Sequence, residues 1–293
     1  MLGHIVYATI WLLSLLPLRV LYVLSDFTYV LLYYIVRYRR KVVRTNLVHS
    51  FPEKKPDEIR IIEKKFYHHL CDMFVESYRM WHMSEGEMRK RCHFKNPEVI
   101  NDYLLKGRNV AAVLGHYGNW EWMASYGLWM PENVDFLTLY KPLHNKVMDK
   151  MMQKIRSRFN ADLVPKNDVL RRIVSNRRKG QLFIVAFIGD QTPNAQNLNF
   201  WMDFLNQDTP ILVGTEKIAR KFDLPVVTLN LRMVKRGYYE IELFDLCEHP
   251  GTLEEGELTR MHTRALEKII REAPELWLWS HKRWKHKRED KKN

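Results

Sequence analysis

The segment at positions 109–121 reads NVAAVLGHYGNWE and joins an apolar run to small and polar residues. Its first part, Asn109 to Leu114, is short and partly β-branched, which is typical of a buried strand. The two glycines that follow allow the backbone to turn sharply and leave space for a substrate. We therefore predict a strand-to-helix junction, with His116 at the end of the strand and Glu121 in the first turns of the helix.

The remainder of the chain alternates short apolar runs with amphipathic stretches. Further strands are predicted at 134–140, 182–188, 225–231 and 238–244, the last two pairing around the turn at 235–237. Helices are predicted at 56–81, 97–105, 143–159, 168–178, 210–222 (with Thr209 as its N-cap) and 253–272. This alternation indicates an α/β fold with a mixed, largely parallel sheet flanked by helices.

The N-terminus is apolar from Ile5 to Val36 and is followed by a basic cluster that ends at Lys41. A secretory signal would carry its positive charge before the apolar run, so this order favours a membrane-associated helical segment at 1–41. Two arrangements remain open: one spanning helix of about 20 residues, or two shorter helices separated near Pro17 that lie in one leaflet. A hairpin buried on a soluble core is the third alternative. Both membrane arrangements place residues 42–293 on the cytoplasmic side.

The charge of the chain is strongly basic, with 47 Lys and Arg against 34 Asp and Glu, a net charge of +13. Such a balance predicts an anionic partner, for example an acidic membrane surface or an acidic protein. The sequence contains no zinc finger, RNA-recognition signature or glycine-interleaved arginine arm, so nothing except the charge suggests a nucleic-acid binder. The three cysteines are widely spaced and odd in number, which predicts free thiols and neither a disulfide framework nor a zinc site.

His116 and Glu121 are suited to acyl transfer. A histidine at near-neutral pH can take the proton of an attacking hydroxyl, and a carboxylate on its far ring nitrogen fixes the tautomer and stabilises the imidazolium. The predicted junction would let Glu121 face His116 in that role. The alternative is a structural histidine followed by an exposed helical glutamate, and for an isolated pair at this spacing that alternative would be preferred.

Four ordered blocks resemble the lipid A biosynthesis acyltransferases, the late or secondary acyltransferases of Gram-negative envelopes. They are the segment at 44–52 (RTNLVHSFP), the H-x4-E block at 115–121, the block at 140–145 (YKPLHN) followed by Arg156 and Arg158, and the block at 279–285 (WSHKRWK). Gly189-Asp190-Gln191 resembles a further block of the same family after the long apolar strand. Lys141 stands where the family usually has arginine, which replaces a bidentate fork by a point charge.

The resemblance implies a glycerolipid-acyltransferase-like fold and an enzyme of the inner membrane with its catalytic domain on the cytoplasmic side. The acyl donor would be a substrate, acyl carrier protein thioester or less often acyl-coenzyme A, and no metal or other cofactor is implied. The acceptor would be a hydroxyl of an acylated, phosphorylated glucosamine disaccharide, a lipid A precursor. Lys141 and the polar stretch after Gln191 depart from the family, so a different membrane lipid stays open as acceptor.

Several other residues are candidates for substrate binding. The set comprises Asn119, Lys141, Asn145, Arg156, Arg158, Asp190 and Gln191. Asp190 and Gln191 follow a buried strand, and polar residues at that end of an α/β sheet often line a site. Asn145 is equally consistent with helix capping, and one of the two arginines with a solvated surface charge.

Three classes of function compete for this sequence. An acyltransferase requires His116, a non-enzymatic membrane-binding protein would use only the apolar N-terminus and the basic surface, and a nucleic-acid binder is suggested by charge alone. The ordered blocks favour the first class.

Overall fold

A computed structural model describes residues 2–288, and of Leu2 it describes the backbone alone. In this part of the chain the α-helices are α1 (Leu2–Ser14), α2 (Leu18–Val30), α3 (Arg40–Ser50), α4 (Pro56–Arg79), α5 (Glu85–Arg91), α6 (Glu98–Leu105), α7 (Lys146–Arg156), α8 (Val169–Arg178), α9 (Gly214–Phe222) and α10 (Glu257–Glu272). Over the same residues the strands are β1 (Cys92–Phe94), β2 (Val110–Leu114), β3 (Asp135–Tyr140), β4 (Ala161–Pro165), β5 (Phe183–Ile188), β6 (Trp201–Phe204), β7 (Gln207–Pro210), β8 (Val226–Lys235) and β9 (Tyr238–Cys247).

Seven of the described strands form one sheet in the order β1-β9-β8-β2-β5-β3-β4. Strands β8 and β9 form an antiparallel hairpin, and the other neighbours in this sheet run parallel. Strands β6 and β7 form a separate antiparallel hairpin. The predicted α/β fold with a mixed, largely parallel sheet is therefore confirmed.

Both faces of the sheet are covered, as a parallel sheet requires. On one face, Ala111 and Val113 of β2 pack in a buried cluster that includes Ile173 of α8 and Ala219 of α9. Because side chains alternate along a strand, Ala112 and Leu114 point to the opposite face. That second face meets a larger core, which includes residues of α4 and of the N-terminal helices.

The element predictions hold best where an apolar run is long or a helix is strongly amphipathic. Strands β2, β3, β5, β8 and β9 and helices α4, α6, α7, α8 and α10 lie where they were predicted, within a few residues. The helix predicted at 210–222 is wrong in its first turn, because residues through Pro210 belong to the β6–β7 hairpin and α9 begins at Gly214. Thr209 is therefore not an N-cap: it pairs with Met202 in the hairpin, and its hydroxyl donates to the Gln207 carbonyl.

The N-terminal segment consists of two helices that are separated at Pro17, as one of the predicted arrangements has it. Helix α2 is fastened to α4, since the Ser25 hydroxyl donates to the Asp72 carboxylate at 2.6 Å. Arg236, in the β8–β9 turn, forms ion pairs with both Asp26 and Asp72. The segment is thus joined by polar contacts to α4 and to the β8–β9 turn of the sheet.

The opposite face of α2 is apolar and exposed, and it carries Val20, Val23 and Phe27. Among the described residues, Leu18–Ile35 is a helical stretch whose length and composition would allow it to cross a membrane, and 22% of it is buried. The alternative of a hairpin buried on a soluble core does not agree with this exposed face. The choice between a spanning and an interfacial arrangement stays a prediction.

Candidate active site

The imidazole of His116 is paired with the carboxylate of Asp190. Its Nδ1 lies 2.6 Å from Asp190 Oδ1, and its backbone N–H donates to Asp190 Oδ2 at 2.8 Å. The Asp190 side chain is 3% exposed and that of His116 is 18% exposed. A buried carboxylate on Nδ1 fixes the ring tautomer so that Nε2 presents its lone pair to the substrate side.

The register of the sheet explains why these two residues meet. Strands β2 and β5 are parallel neighbours, and Leu114 pairs with Ile188 at their carboxyl ends. His116 and Asp190 each come two residues after that pair, so they lie side by side at the same edge of the sheet. This edge is where open α/β sheets place their ligands.

Asp190 is held ionised by its surroundings. The Trp277 indole N–H donates to Asp190 Oδ2 at 2.8 Å, in addition to the two contacts with His116. Burial raises the pKa of the Asp190 carboxyl, but the charge and hydrogen bonds of His116 and the hydrogen bond of Trp277 lower it to about 2. Asp190 therefore remains a carboxylate throughout the pH range in which the protein would work.

The other ring nitrogen of His116 faces a cavity. Because Asp190 accepts from Nδ1–H, Nε2 is the acceptor, and the Gln191 side-chain amide lies 3.2 Å from it. The ring of Trp120 stands edge-on against the imidazole, with 5.1 Å between the ring centroids. The nitrogen that would take a proton is thus within reach of a bound molecule.

Glu121 is not the carboxylate that contacts His116, and the predicted His116–Glu121 orientation is corrected in this respect. Both oxygens of Glu121 accept from Arg156, Nε to Oε2 and Nη2 to Oε1, each at 2.6 Å. The side chains of Glu121 and Arg156 are 11% and 28% exposed. Glu121 lines the same cavity as His116, but its charge is engaged by the guanidinium.

Gly115 and Gly118, on either side of His116 and Tyr117, shape this loop as predicted. Gly118 has φ +60°, and a Cβ there would collide with Leu231. A Cβ on Gly115 would lie 2.7 Å from Leu266 Cδ1 and 3.2 Å from Asp190 Oδ2. Side chains at either position would displace the loop or the carboxylate.

Asn119 is part of the structural support of this loop. It is fully buried, and its amide donates to Glu76 Oε2 at 2.8 Å, so its predicted role in substrate binding is not what the geometry shows. Glu76 also accepts from Tyr22 of α2 and Tyr239 of β9. Asn119 therefore ties the loop at 115–121, called the catalytic loop below, to α4 and, through Glu76 and Tyr22, to α2.

The candidates on and around α7 have separate roles. Asn145 accepts from the backbone N–H groups of Val147 and Met148, so it is the N-cap of α7. Arg156 and Lys141 line the cavity. Arg158 is exposed, and its guanidinium lies 5.4 Å from the ring centroid of Phe159. Of the two arginines, the structure brings only Arg156 to the site.

The cavity in front of His116 has a volume of about 700 Å³. Its inner wall is apolar, with Phe94, Ala112, Phe136 and Ile184 among the residues that line it. Its mouth carries polar and basic groups, among them Lys141, Arg156, Lys166, Gln191 and Asn194. An elongated molecule with an apolar end and an anionic head fits this distribution.

Trp277 and the residues near it contact the candidate site, and the sequence analysis did not place Trp277 there. The Leu278 N–H donates to the His116 carbonyl, and the Gly118 N–H donates to the Leu276 carbonyl. His281 Nε2 accepts from the Thr192 backbone N–H, consistent with burial lowering the His281 pKa to about 4. Residues 276–284 are more than 80 positions after Asp190, and nothing in their sequence indicated that they lie beside His116 and Asp190.

One acidic cluster outside the site has the composition of a cation site. Atoms of Asp26, His68 and Asp72 lie within 4.8 Å of one another. Arg236 forms ion pairs with both carboxylates of the cluster. The guanidinium supplies the positive charge that this cluster requires.

Residues 1–286 match the family described as bacterial lipid A biosynthesis acyltransferase. The chain belongs to this family. It is an acyltransferase, and the resemblance seen in the ordered sequence blocks is confirmed. The alternative of a non-enzymatic membrane-binding protein is not supported by this membership.

Individual relatives are distant but cover most of the chain. A lipid A biosynthesis lauroyltransferase of Escherichia coli (strain K12) is 25% identical over 280 residues, which are 94% of this chain and 89% of the relative. A lipid A biosynthesis palmitoleoyltransferase of the same strain is 25% identical over 249 residues, 84% of this chain and 79% of the relative. A lipid A biosynthesis acyltransferase of Haemophilus influenzae is 22% identical over 242 residues, 82% and 74% of the two chains.

Proposed function

We propose that the protein transfers a fatty acyl chain from the thioester of acyl carrier protein, or of coenzyme A, to a hydroxyl of a lipid A precursor. His116 is the general base in this proposal, and Asp190 takes the orienting role that the sequence assigned to Glu121. One observation carries the proposal: His116, paired with the buried carboxylate of Asp190, presents Nε2 to a cavity that is apolar inside and basic at its mouth. Membership of the family supports the reaction class.

The proposed step needs only groups that the chain supplies. His116 Nε2 takes the proton of the acceptor hydroxyl as its oxygen attacks the thioester carbonyl, displacing Gln191 from its contact with the ring. The tetrahedral intermediate then collapses with cleavage of the carbon–sulfur bond. The imidazolium returns the proton to the leaving thiolate, so the histidine is regenerated and no covalent acyl-enzyme is required.

Asp190 stabilises the imidazolium that forms during this step. Its carboxylate accepts the Nδ1 proton at 2.6 Å and is itself ionised, so the positive ring gains a buried opposite charge. The carboxylate that pairs with the imidazole thus comes from the residues directly after β5, the strand next to β2.

The acyl chain lies in the inner part of the cavity in this proposal. Ala112 of β2 pairs in register with Ala186 of β5, and Ala186 pairs with Thr138 of β3. These three small side chains line the cavity and form one row across the central strands. Larger side chains lie in the next row inward, where Phe136 pairs with Ile184. The row of small residues leaves the space that a flexible hydrocarbon chain would fill.

The mouth of the cavity binds the anionic parts of the substrates. Lys141, Arg156 and Lys166 place positive charge there, which suits the phosphates of the acceptor or the acidic surface of a carrier protein. Glu121 fixes the guanidinium of Arg156 by two hydrogen bonds and thereby determines where that charge stands. In this view Glu121 positions a binding group at the site.

Residues 1–41 act as the membrane anchor, and residues 42–293 form the acyltransferase domain on the cytoplasmic side of the inner membrane. Support comes from the exposed apolar face of α2, where Phe27 is 71% exposed, and from the basic cluster that follows the apolar run. Such a face would bury apolar surface in the lipid while α4 holds its other side.

The experiment that tests the proposal compares wild-type protein with His116→Ala in detergent. Each is given acyl carrier protein thioesters or acyl-coenzyme A and an acylated, phosphorylated glucosamine disaccharide, and products are identified by mass spectrometry. We expect acyl transfer by wild-type protein and a loss of at least about a thousandfold in the variant. His249→Ala, at an exposed position that does not line the cavity, is the matched control.

Two results would overturn the proposal in different ways. Full activity of a folded His116→Ala protein would remove histidine from the mechanism. Wild-type transfer to other hydroxylated or aminated membrane lipids, with none to the disaccharide, would replace the acceptor but keep the reaction class.

A further inference from the structure

A segment near the end of the described residues contacts the catalytic pair and the loop that carries the histidine. This segment, residues 276–284, is called the C-terminal strap. It is hydrogen-bonded to the catalytic loop on both sides of Tyr117, from Leu278 N–H to the His116 carbonyl and from Gly118 N–H to the Leu276 carbonyl. Tyr117 and Trp277 form an isolated antiparallel bridge between these contacts. The strap is therefore in register with the loop that carries the base.

Within the strap, Trp277 reaches Asp190. Its Nε1–H donates to Asp190 Oδ2 at 2.8 Å, and the side chain is buried. The same oxygen accepts the His116 backbone N–H, while the other oxygen faces the imidazole. Two donors from fixed directions on Oδ2 leave the carboxylate one rotational position, in which Oδ1 points at Nδ1.

The indole itself is held by other rings. Trp279 stands edge-on to it with 4.7 Å between centroids, and Phe204 and Trp284 lie at 5.8 and 5.9 Å. Such contacts fix the plane of a large aromatic ring, and with it the direction of its N–H. A donor that is rigid in this way can determine where a carboxylate stands, because hydrogen bonds to charged groups are strong and directional.

We propose that Trp277 is a positioning residue of the acyl-transfer reaction: its indole N–H fixes the Asp190 carboxylate against the ring of His116. The proposal rests on the function proposed above. Trp277 does not contact the reacting atoms, and its effect passes through Asp190.

The first test is Trp277→Phe, which removes the N–H and keeps an aromatic ring. We expect kcat to fall roughly tenfold, the effect of weakening one hydrogen bond to a charged group, with KM unchanged. Trp201→Phe is the matched control, since its N–H also donates to a backbone carbonyl, that of Leu198 at 2.9 Å, and its half-buried ring is not among those that hold Trp277. Loss of packing should lower the melting temperature of both variants, whereas only Trp277→Phe should lose kcat.

A second variant covers the case in which Trp277→Phe does not fold. It carries 3-benzothienylalanine at position 277, an isostere of tryptophan with sulfur in place of the N–H. The same roughly tenfold loss of kcat is expected, because the shape is retained and only the donor is removed.

A double-mutant cycle with Asp190→Asn identifies the path of the effect. If Trp277 acts through Asp190, removing the N–H in the Asp190→Asn background should change kcat by less than about twofold. A full additional tenfold loss there, or equal losses of kcat in Trp277→Phe and Trp201→Phe, would overturn the proposal. An active His116→Ala protein would instead overturn the proposed function, so the two failures are distinguishable.

Discussion

Replacing Asp190 by Asn should remove nearly all acyl transfer while preserving the fold. The carboxylate accepts three hydrogen bonds: from His116 Nδ1, from the His116 backbone and from Trp277. An asparagine has one acceptor oxygen and one donor amide, so either orientation places an N–H against another N–H. With the amide facing Nδ1, the ring adopts the opposite tautomer and Nε2 carries the proton.

The expected loss follows from that tautomer. An imidazole protonated on Nε2 cannot take a proton from the hydroxyl, and the imidazolium loses a buried opposite charge. In serine proteases the equivalent substitution lowers kcat by about 10⁴-fold, so we expect a loss of about 10³- to 10⁴-fold, or about 4 to 5.5 kcal/mol of transition-state stabilisation. KM should change little, because the imidazole and not Asp190 contacts the bound hydroxyl.

The assay is steady-state acyl transfer with mass-spectrometric detection, together with a thermal melt of each protein. Asp162→Asn is the control, since that carboxylate is 41% exposed and pairs with Arg172 away from the cavity. An Asp190→Asn protein that melts normally and keeps more than a tenth of the wild-type kcat would refute the assignment. The base would then have to be oriented by another group, with Glu121 the next candidate.

Three further predictions concern other parts of the molecule. Burial raises the pKa of Glu76 to about 7, although its hydrogen bonds lower it. Between pH 4.5 and about 7 the folded state therefore keeps this proton while the unfolded state releases it. The free energy of unfolding should fall by about 3 kcal/mol across that window in wild type but not in Glu76→Gln. Urea unfolding at pH 5 and pH 8 measures this difference. The same change in the free energy of unfolding in wild type and in Glu76→Gln would contradict it. Ala112→Leu adds three carbons to the row of small residues, so the preferred acyl donor should become about three methylenes shorter in a competition among thioesters; an unchanged preference would place the chain elsewhere. Phe27→Asp should abolish binding to anionic vesicles and leave kcat in detergent unchanged, whereas Ile61→Asp, exposed on α4, should bind as wild type does; equal binding of both would count against the α2 face as the anchor.

The sheet could be predicted from the sequence because its strands are apolar runs of the right length. The runs at 109–114 and 182–188 form strands with both faces covered, and a strand of that kind has a nearly continuous apolar sequence. Short or edge strands such as β1 and β4 carry less of this pattern, and they were not predicted. The β6–β7 hairpin was missed because its strands have only four residues each and mix polar with apolar side chains without a clear alternation.

The partner of His116 could not be identified in this way. Glu121 is near in sequence and has the right chemistry, whereas Asp190 is 74 residues away. The sequence did predict that Asp190 follows a buried strand and belongs to the site. It contained no information that β5 is the neighbour of β2, and that adjacency alone decides which carboxylate reaches the ring. The same holds for Trp277, whose role depends on a contact between distant segments.

The C-terminal strap affects when the catalytic pair is assembled during synthesis of the chain. Asn46 of α3 donates to the carbonyls of Trp279 and His281, so the strap is anchored to one of the first helices of the chain. During synthesis the membrane-proximal helices, the histidine and the aspartate all emerge before the residues that hold them in place. A nascent or truncated chain without residues 276–284 would lack the contacts that hold His116 and Asp190 in place, so we expect acyl transfer only after the strap has been synthesised and has packed against the rest of the chain.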